Sequence, residues 1–174
     1  MRDARRGLMI VAVAAVVLVA SGCEDLEPSA AEQELLEEAI HGYLDRLAAA
    51  YSDLDAGALE GHATGGEIAE VHKVLKKLAA SGDRVEASLL RVELENVKVF
   101  REVNATVGTM EVWDVARYDA FNGREKASNP NAIQRAVIQL RLVDGRWLVT
   151  ARRVLGQEAG PRWNVTTPTP DPGG

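Results

Sequence analysis

Residues Gln139–Val154 read QLRLVDGRWLVTARRV, and this stretch decides the fold. Asp144-Gly145 is a two-residue turn of the type I′ class set between two alternating runs, the strongest short-range hairpin signal a sequence carries. A turn there pairs Val143 with Arg146. By alternation Leu142 then faces Trp147, Leu140 faces Val149 and Ile138 faces Ala151, all on one side. The opposite side carries Arg135, Gln139, Arg141, Arg146, Thr150 and Arg152, mixed with Val137, Leu148 and Val154. One register buries an apolar row, and a slip of one residue buries arginines, so the register is strongly specified.

Working back from the hairpin, the same period of two continues. Leu90, Val92 and Leu94 alternate with Arg91, Glu93 and Glu95. The phase then flips to Val97 and Val99, which predicts a bulge or bend near Asn96. A further strand spans about Ala105–Asp119. Asn122-Gly123 reads as a turn and Ser128–Asn131 (SNPN) as a loop. Before Val85 the period is 3.6. Leu36, Ile40, Tyr43, Leu44, Leu47, Ala48, Tyr51 and Leu54 make one apolar face of a helix over Glu32–Leu54, with Ser29 as N-cap and Glu32 completing a capping box. Gly57 and the segment Gly61–Gly66 interrupt it. A second helix over about Glu67–Ala80 presents Ile68, Val71, Leu75 and Leu78 and stops at Ser81-Gly82-Asp83, with Gly82 as a left-handed cap. The chain therefore reads as α+β: N-terminal helices packed on a curved antiparallel sheet of about four strands, closed by the Asp144-Gly145 hairpin.

The first 23 residues, MRDARRGLMIVAVAAVVLVASGC, have the layout of an export signal. Arg2, Arg5 and Arg6 precede an apolar run from Leu8 to Ala20. That run is too short for a span of about 20 residues but suited to a signal core. Val19-Ala20-Ser21-Gly22-Cys23 resembles the lipobox of bacterial lipoproteins, although Ala20 stands where Leu is commonest. The resemblance implies cleavage after Gly22 and lipidation of Cys23. Each buried methylene contributes roughly 0.8 kcal/mol, so two or three acyl chains such as palmitate hold a protein at a membrane durably. Competing readings are an ordinary secretory signal with a chance cysteine and an uncleaved anchor. The expected organisation is a signal over 1–22, a lipidated cysteine and short acidic tether over 23–31, a domain over 32–155 and a Pro/Gly/Thr-rich disordered tail over 156–174. Trp163 in that tail either docks on the domain or is exposed. The tether, Glu24–Ala31, reaches at most about 28 Å, so the domain would sit close to the bilayer, at the membrane of a bacterial envelope.

The chain holds 20 Lys+Arg and 26 Asp+Glu, a formal charge of −6. Loss of residues 1–22 removes a net +2 and leaves the mature part near −8. That balance argues against nucleic acid and against general attraction to anionic head groups. Cys23 is the only cysteine, so lipidation leaves none for a disulfide and the fold rests on its core. Asn104-Ala-Thr106 and Asn164-Val-Thr166 match the glycosylation sequon, a chance match in a bacterial lipoprotein.

The order of helix, helix and long antiparallel strands, with Met110-Glu-Val-Trp-Asp114 upstream of the closing Asp144-Gly-Arg-Trp147 hairpin, resembles the NTF2-like α+β superfamily over roughly residues 32–155. Within it the likeness is to SnoaL-type and Tim44-like domains and to the inner-membrane-side domain of plastid-division proteins. A cystatin-like helix-on-sheet domain is the alternative. The superfamily includes cone-pocket enzymes of the isomerase and dehydratase type alongside non-enzymatic binding modules, so membership alone decides no activity.

The candidates for chemistry are few. Glu111 and Asp114 flank Val112-Trp113, and strand alternation lets only one of the two carboxylates face the interior. Glu111 shares a face with Trp113. If it faces inward beside Trp113 it is a desolvated general base, and the competing reading is that it pairs with an arginine across the sheet. Tyr43 and Tyr51, eight residues apart on the first helix, either line a pocket or are core residues with hydroxyls at its rim. His41, His62 and His72 do not form a ligand spacing, so no metal is expected, and no motif calls for a cofactor. The expected function is a membrane-anchored, non-enzymatic binding or interaction module. It would take an envelope protein or a small apolar ligand, with homodimerisation through the sheet face that carries Val137, Leu148 and Val154. The alternative is a cone-pocket isomerase, dehydratase or hydrolase with Glu111 or Asp114 as base and a tyrosine as hydrogen-bond donor.

Overall fold

The structure is a computed structural model that describes residues 27–158. The signal, Cys23, most of the tether and the tail from Ala159, including Trp163, lie outside the described residues. Helix α1 spans Ala30–Asp53, a short 3-10 turn Ala56–Leu59, and helix α2 Gly65–Ala80. Four strands follow, β1 Asp83–Phe100, β2 Asn104–Asp119, β3 Glu125–Val143 and β4 Arg146–Glu158. They form one antiparallel meander in chain order. Among the described residues no helix is long and apolar enough to cross a membrane.

Local signals place the helices. Ser29 caps α1, its hydroxyl accepting from the Glu32 N–H at 3.3 Å while Glu32 accepts from the Ser29 N–H at 2.9 Å. The apolar stripe buries Leu36, Ile40, Tyr43, Leu44, Leu47 and Ala50 against the concave face of the sheet. Gly82 ends α2 with φ +66°. The segment between the helices protects the free edge of β4. Thr64 N–H donates to the Val149 carbonyl at 2.8 Å and Val149 N–H to the His62 carbonyl at 3.0 Å, which occupies backbone groups that would otherwise be open to another chain.

The strands are long and bulged, and the bulges set which side chains enter the core. Near Asn96 (φ +49°) the β1–β2 register shifts between Glu95 and Lys98, which carries Val97 and Val99 to the inner face. The facing Gly108 is needed there, because a Cβ would lie 3.0 Å from the Glu95 carbonyl oxygen. A second shift between Leu89 and Arg91 turns Leu89 inward and leaves Leu90 half-exposed, against the expectation that it shares a face with Val92 and Leu94. Ser128–Asn131, expected as a loop, lies within β3. Pro130 and Asn131 (φ +53°) fall at a shift between the Trp113 and Val115 pairings. Among the described residues the β3–β4 pairing begins at Ile133, and none of them pairs with Pro130 on that side, so its missing N–H costs no ladder bond there.

The closing hairpin pairs Val143 with Arg146, Leu142 with Trp147 and Leu140 with Val149, and Asp144 and Gly145 both have positive φ as type I′ requires. The expected pairing of Ile138 with Ala151 fails. Thr150 is an extra residue in β4, so Gln139 pairs with Ala151 and Ile138 with Arg152. This single insertion moves Arg152 and Val154 from the outer face, where alternation alone puts them, to the inner face.

Candidate functional site

Inward-facing β2 residues build the site. Thr109, Glu111 and Trp113 point to the same side of the strand, and all three are buried, Glu111 with 0% exposure. An isolated buried carboxylate is very costly, and this one is fully partnered. Its Oε1 accepts from Thr109 Oγ1 at 2.8 Å and from Arg152 Nε at 3.3 Å. Its Oε2 accepts from Trp113 Nε1 at 2.9 Å and from Arg152 Nη2 at 2.6 Å. The guanidinium thus grips the carboxylate by both oxygens, the bidentate geometry that makes such pairs strong. Arg152 Nη2 also donates to Gln134 Oε1 of β3 at 3.0 Å. Burial alone disfavours the charge on Arg152, but the field and hydrogen bonds of Glu111 outweigh it and raise its pKa.

Tyr43 lies deeper, beneath α2. Its hydroxyl donates to Glu67 Oε1 at 2.6 Å, and Glu67, in the first turn of α2, is itself buried. Burial and the adjacent Glu67 carboxylate push the Tyr43 phenol well above its ordinary pKa, so it stays a donor. Tyr51, two turns along α1, is shifted the same way, by burial first.

A cavity of about 370 Å³ opens between the C-terminal half of α1 and the sheet. Leu47, Ala48 and Tyr51 form one wall. Val85 and Ala87 of β1 with Trp113 and Val115 of β2 form the other. Gln134, Arg152 and Val154 close the side of β3 and β4. The volume lies within the range of small-molecule sites, about 300–1,000 Å³. The lining is apolar apart from Tyr51, Gln134 and Arg152, whose Nη1 makes no hydrogen bond with any described residue. The cavity therefore offers an apolar seat with hydrogen-bond donors at one side.

The candidate residues separate cleanly. Glu111 faces inward beside Trp113 and pairs with Arg152 across the sheet, so the inward placement and the arginine pairing, set against each other in the sequence, occur together, with both oxygens engaged. Asp114 is exposed on the outer face, where its Oδ1 accepts from the Asn131 N–H at 2.8 Å, and does not reach the cavity. Tyr43 is tied to Glu67 and is not part of the cavity wall, whereas Tyr51 is. Arg152, Gln134 and Glu67 escaped the sequence reading. Arg152 was hidden by the Thr150 bulge, and Glu67 by its ordinary place as an acidic residue in a first helical turn. Val154 lines the cavity and so leaves the outer face on which it was expected with Val137 and Leu148. Among the described residues no cluster of three or more His, Cys, Asp or Glu side chains could hold a metal.

A second polar cluster ties the wide end of the sheet. Asp83, 1% exposed, receives Arg117, Lys126 Nζ at 2.8 Å and the Ser81 hydroxyl at 2.7 Å. The hydrogen bond from Arg117, then that from Lys126, hold its carboxyl well below the usual range.

No family model and no curated protein matches the chain. Solved structures do. The intermembrane space region of the chloroplast protein ARC6 superposes with a TM-score of 0.59 at 14% identity, covering 74% of this chain and 98% of that one. A protein of unknown function from Mycobacterium tuberculosis superposes with a TM-score of 0.51 at 15% identity, covering 75% and 76%. An NTF2-like protein with a cystatin-like fold from Novosphingobium aromaticivorans gives a TM-score of 0.44 at 17% identity, covering 72% and 85%. At these identities what the ARC6 region and the Mycobacterium tuberculosis protein share with this chain is the fold, helices laid on a four-stranded antiparallel sheet.

Proposed function

We propose that the chain is a lipoprotein held at an envelope membrane through Cys23, and that its NTF2-like domain binds a small apolar ligand in the cavity between α1 and the sheet. The observation that carries the binding reading is the pairing of an apolar cavity with a Glu111 that is already fully committed. A general base needs a free lone pair within reach of the proton it takes. Glu111 spends its two oxygens on Thr109, Trp113 and a bidentate Arg152. Asp114 lies on the wrong face. The groups that do look into the cavity, Tyr51, Gln134 and the outer edge of Arg152, are suited to orienting a ligand through an acceptor atom. The net charge and the lipobox-like segment favour a tethered domain whose surface keeps its distance from anionic head groups.

Thermal-shift screening of the mature chain against uncharged apolar metabolites and lipid fragments tests the binding reading. A ligand at one hundred times its Kd stabilises by about 2.7 kcal/mol, and Ala87→Phe, which narrows the cavity, removes the shift. Turnover of any substrate that disappears in Glu111→Gln would return the site to catalysis. Anchoring is tested separately: labelled palmitate is incorporated by the wild type and not by Cys23→Ala.

A further inference from the structure

We infer that the occupant of the cavity is an uncharged molecule whose polar group only accepts hydrogen bonds, a ketone, ester or tertiary amide carbonyl on an apolar body, and that a carboxylate is excluded. The inference rests on the binding reading above and names the chemical class of the ligand. An arginine at the side of an apolar cavity ordinarily invites an anion. Here the charge is already answered. Glu111 receives Arg152 Nη2 at 2.6 Å and Arg152 Nε at 3.3 Å. The two side chains are 13% and 0% exposed, so water does little to loosen the pair. A ligand carboxylate would stand beside Glu111 as a second desolvated anion without a cation of its own. The basic side chains at the wide end of the sheet offer it nothing, because Arg117 and Lys126 are both held on Asp83.

What the lining leaves open is donors. The Tyr51 hydroxyl, Gln134 Nε2 and Arg152 Nη1 make no hydrogen bond with any described residue. The side-chain acceptors beside them are engaged. Both oxygens of Glu111 accept, and Gln134 Oε1 accepts from Arg152 Nη2 at 3.0 Å, which fixes the amide with its oxygen on the guanidinium and its NH2 group turned away. Trp113 Nε1 is committed to Glu111 at 2.9 Å. Asn129, opposite Val115, keeps a buried amide oxygen without a partner among the described residues, but it does not line the cavity. A carbonyl oxygen has two lone pairs and satisfies two of the three donors at once. A ligand whose polar group is an ammonium finds no open acceptor among the lining side chains. Leu47, Val85, Val115 and Val154 take the apolar body. At about 30 Å³ for each water-sized group, 370 Å³ holds roughly a dozen of them.

Two probes of that size and equal to each other, 2-undecanone and decanoate, are titrated into the mature chain at pH 7 while the methyls of Leu47, Val85, Val115 and Val154 are followed. The expected result is that 2-undecanone shifts these methyls and binds at least about tenfold more tightly than decanoate, whose charge would sit unpaired beside Glu111. The carbonyl stretch of the bound ketone falls below its position in hexane. Tyr51→Phe, which removes one donor and keeps the ring, weakens binding about threefold to tenfold. Tyr51 holds no other described residue by a hydrogen bond, so this variant tests the ligand contact rather than the fold. Decanoate binding as tightly as the ketone overturns the proposal and leaves the cavity reading standing. So does a bound carbonyl band at the hexane position, or an affinity that neither Tyr51→Phe nor Gln134→Met lowers. If neither probe moves the four methyls, the proposal and the cavity reading fall together.

Discussion

Arg152→Met leaves Glu111 in place with no exposed surface and no counter-charge, and it is the substitution the structure makes most costly. Removing one partner of a buried ion pair costs about 3–5 kcal/mol, because the remaining charge stays desolvated. The side chains here are 13% and 0% exposed, so solvent screening offers little relief. With about 2.1 cal/mol/K of unfolding entropy per residue and about 130 described residues, the fall in Tm is about 11–18 °C. Glu111→Gln alone keeps the shape and can still accept from Trp113 while donating to Thr109, so its cost is confined to the lost pairing. In the double variant the amide has no unpaired charge to shelter. A thermal and urea double-mutant cycle at pH 7 is therefore expected to show Glu111→Gln/Arg152→Met more stable than Arg152→Met by at least about 1–2 kcal/mol, with strong coupling between the sites. A loss below about 1 kcal/mol in Arg152→Met, or additive losses in the double variant, would show that the pair is solvated and that the inner face is not assembled as described.

Other consequences can be checked independently. Tyr43→Phe removes the donor to buried Glu67 and is expected to cost about 1–3 kcal/mol by urea unfolding. The Tyr43 pKa is raised in the folded state, so its contribution is complete below about pH 10, the unfolded value, and is lost as pH rises towards the folded one. The wild type should therefore lose stability above about pH 10 more steeply than Tyr43→Phe. Asp83 behaves in the opposite sense. Its folded pKa is depressed, so its contribution is present above about pH 4 and fades as pH falls towards the folded value, and Asp83→Asn should flatten the acid limb of the stability–pH curve. Gly82→Ala places a Cβ at φ +66° and 2.9 Å from the Phe121 ring, and is expected to cost about 1–2 kcal/mol in Tm analysis unless Phe121 swings away.

Much of the fold was legible because periodicity and turn chemistry agree. The capping box at Ser29 and Glu32, the stripe from Leu36 to Leu47, the left-handed Gly82 and the Asp144-Gly145 turn each state a local geometry, and the phase flip at Asn96 announces its own bulge. The bulges without such a mark were not legible. Nothing in Leu90 or Thr150 says that it is the extra residue in its strand, and one unrecognised insertion inverts everything after it. That is why alternation alone puts Arg152 and Val154 on the outer face, and why Ser128–Asn131 reads as a loop rather than as an irregular pairing at a strand end. Alternation put Glu111 on one face with Trp113 but left open which face that was. Its partner could not be named, because identifying Arg152 requires the register of β4 relative to β3 beyond Thr150.

Methyl-resolved NMR of the mature chain, titrated with an extract of envelope lipids and small metabolites and then with its fractions, tests the central claim most directly. The account predicts that one fraction shifts the methyls of Leu47, Val85, Val115 and Val154 together while those of Val137 and Leu148 on the outer face stay still. Shifts confined to Val137 and Leu148, or an inner set that responds to no fraction, would contradict it and make the outer sheet face the working surface.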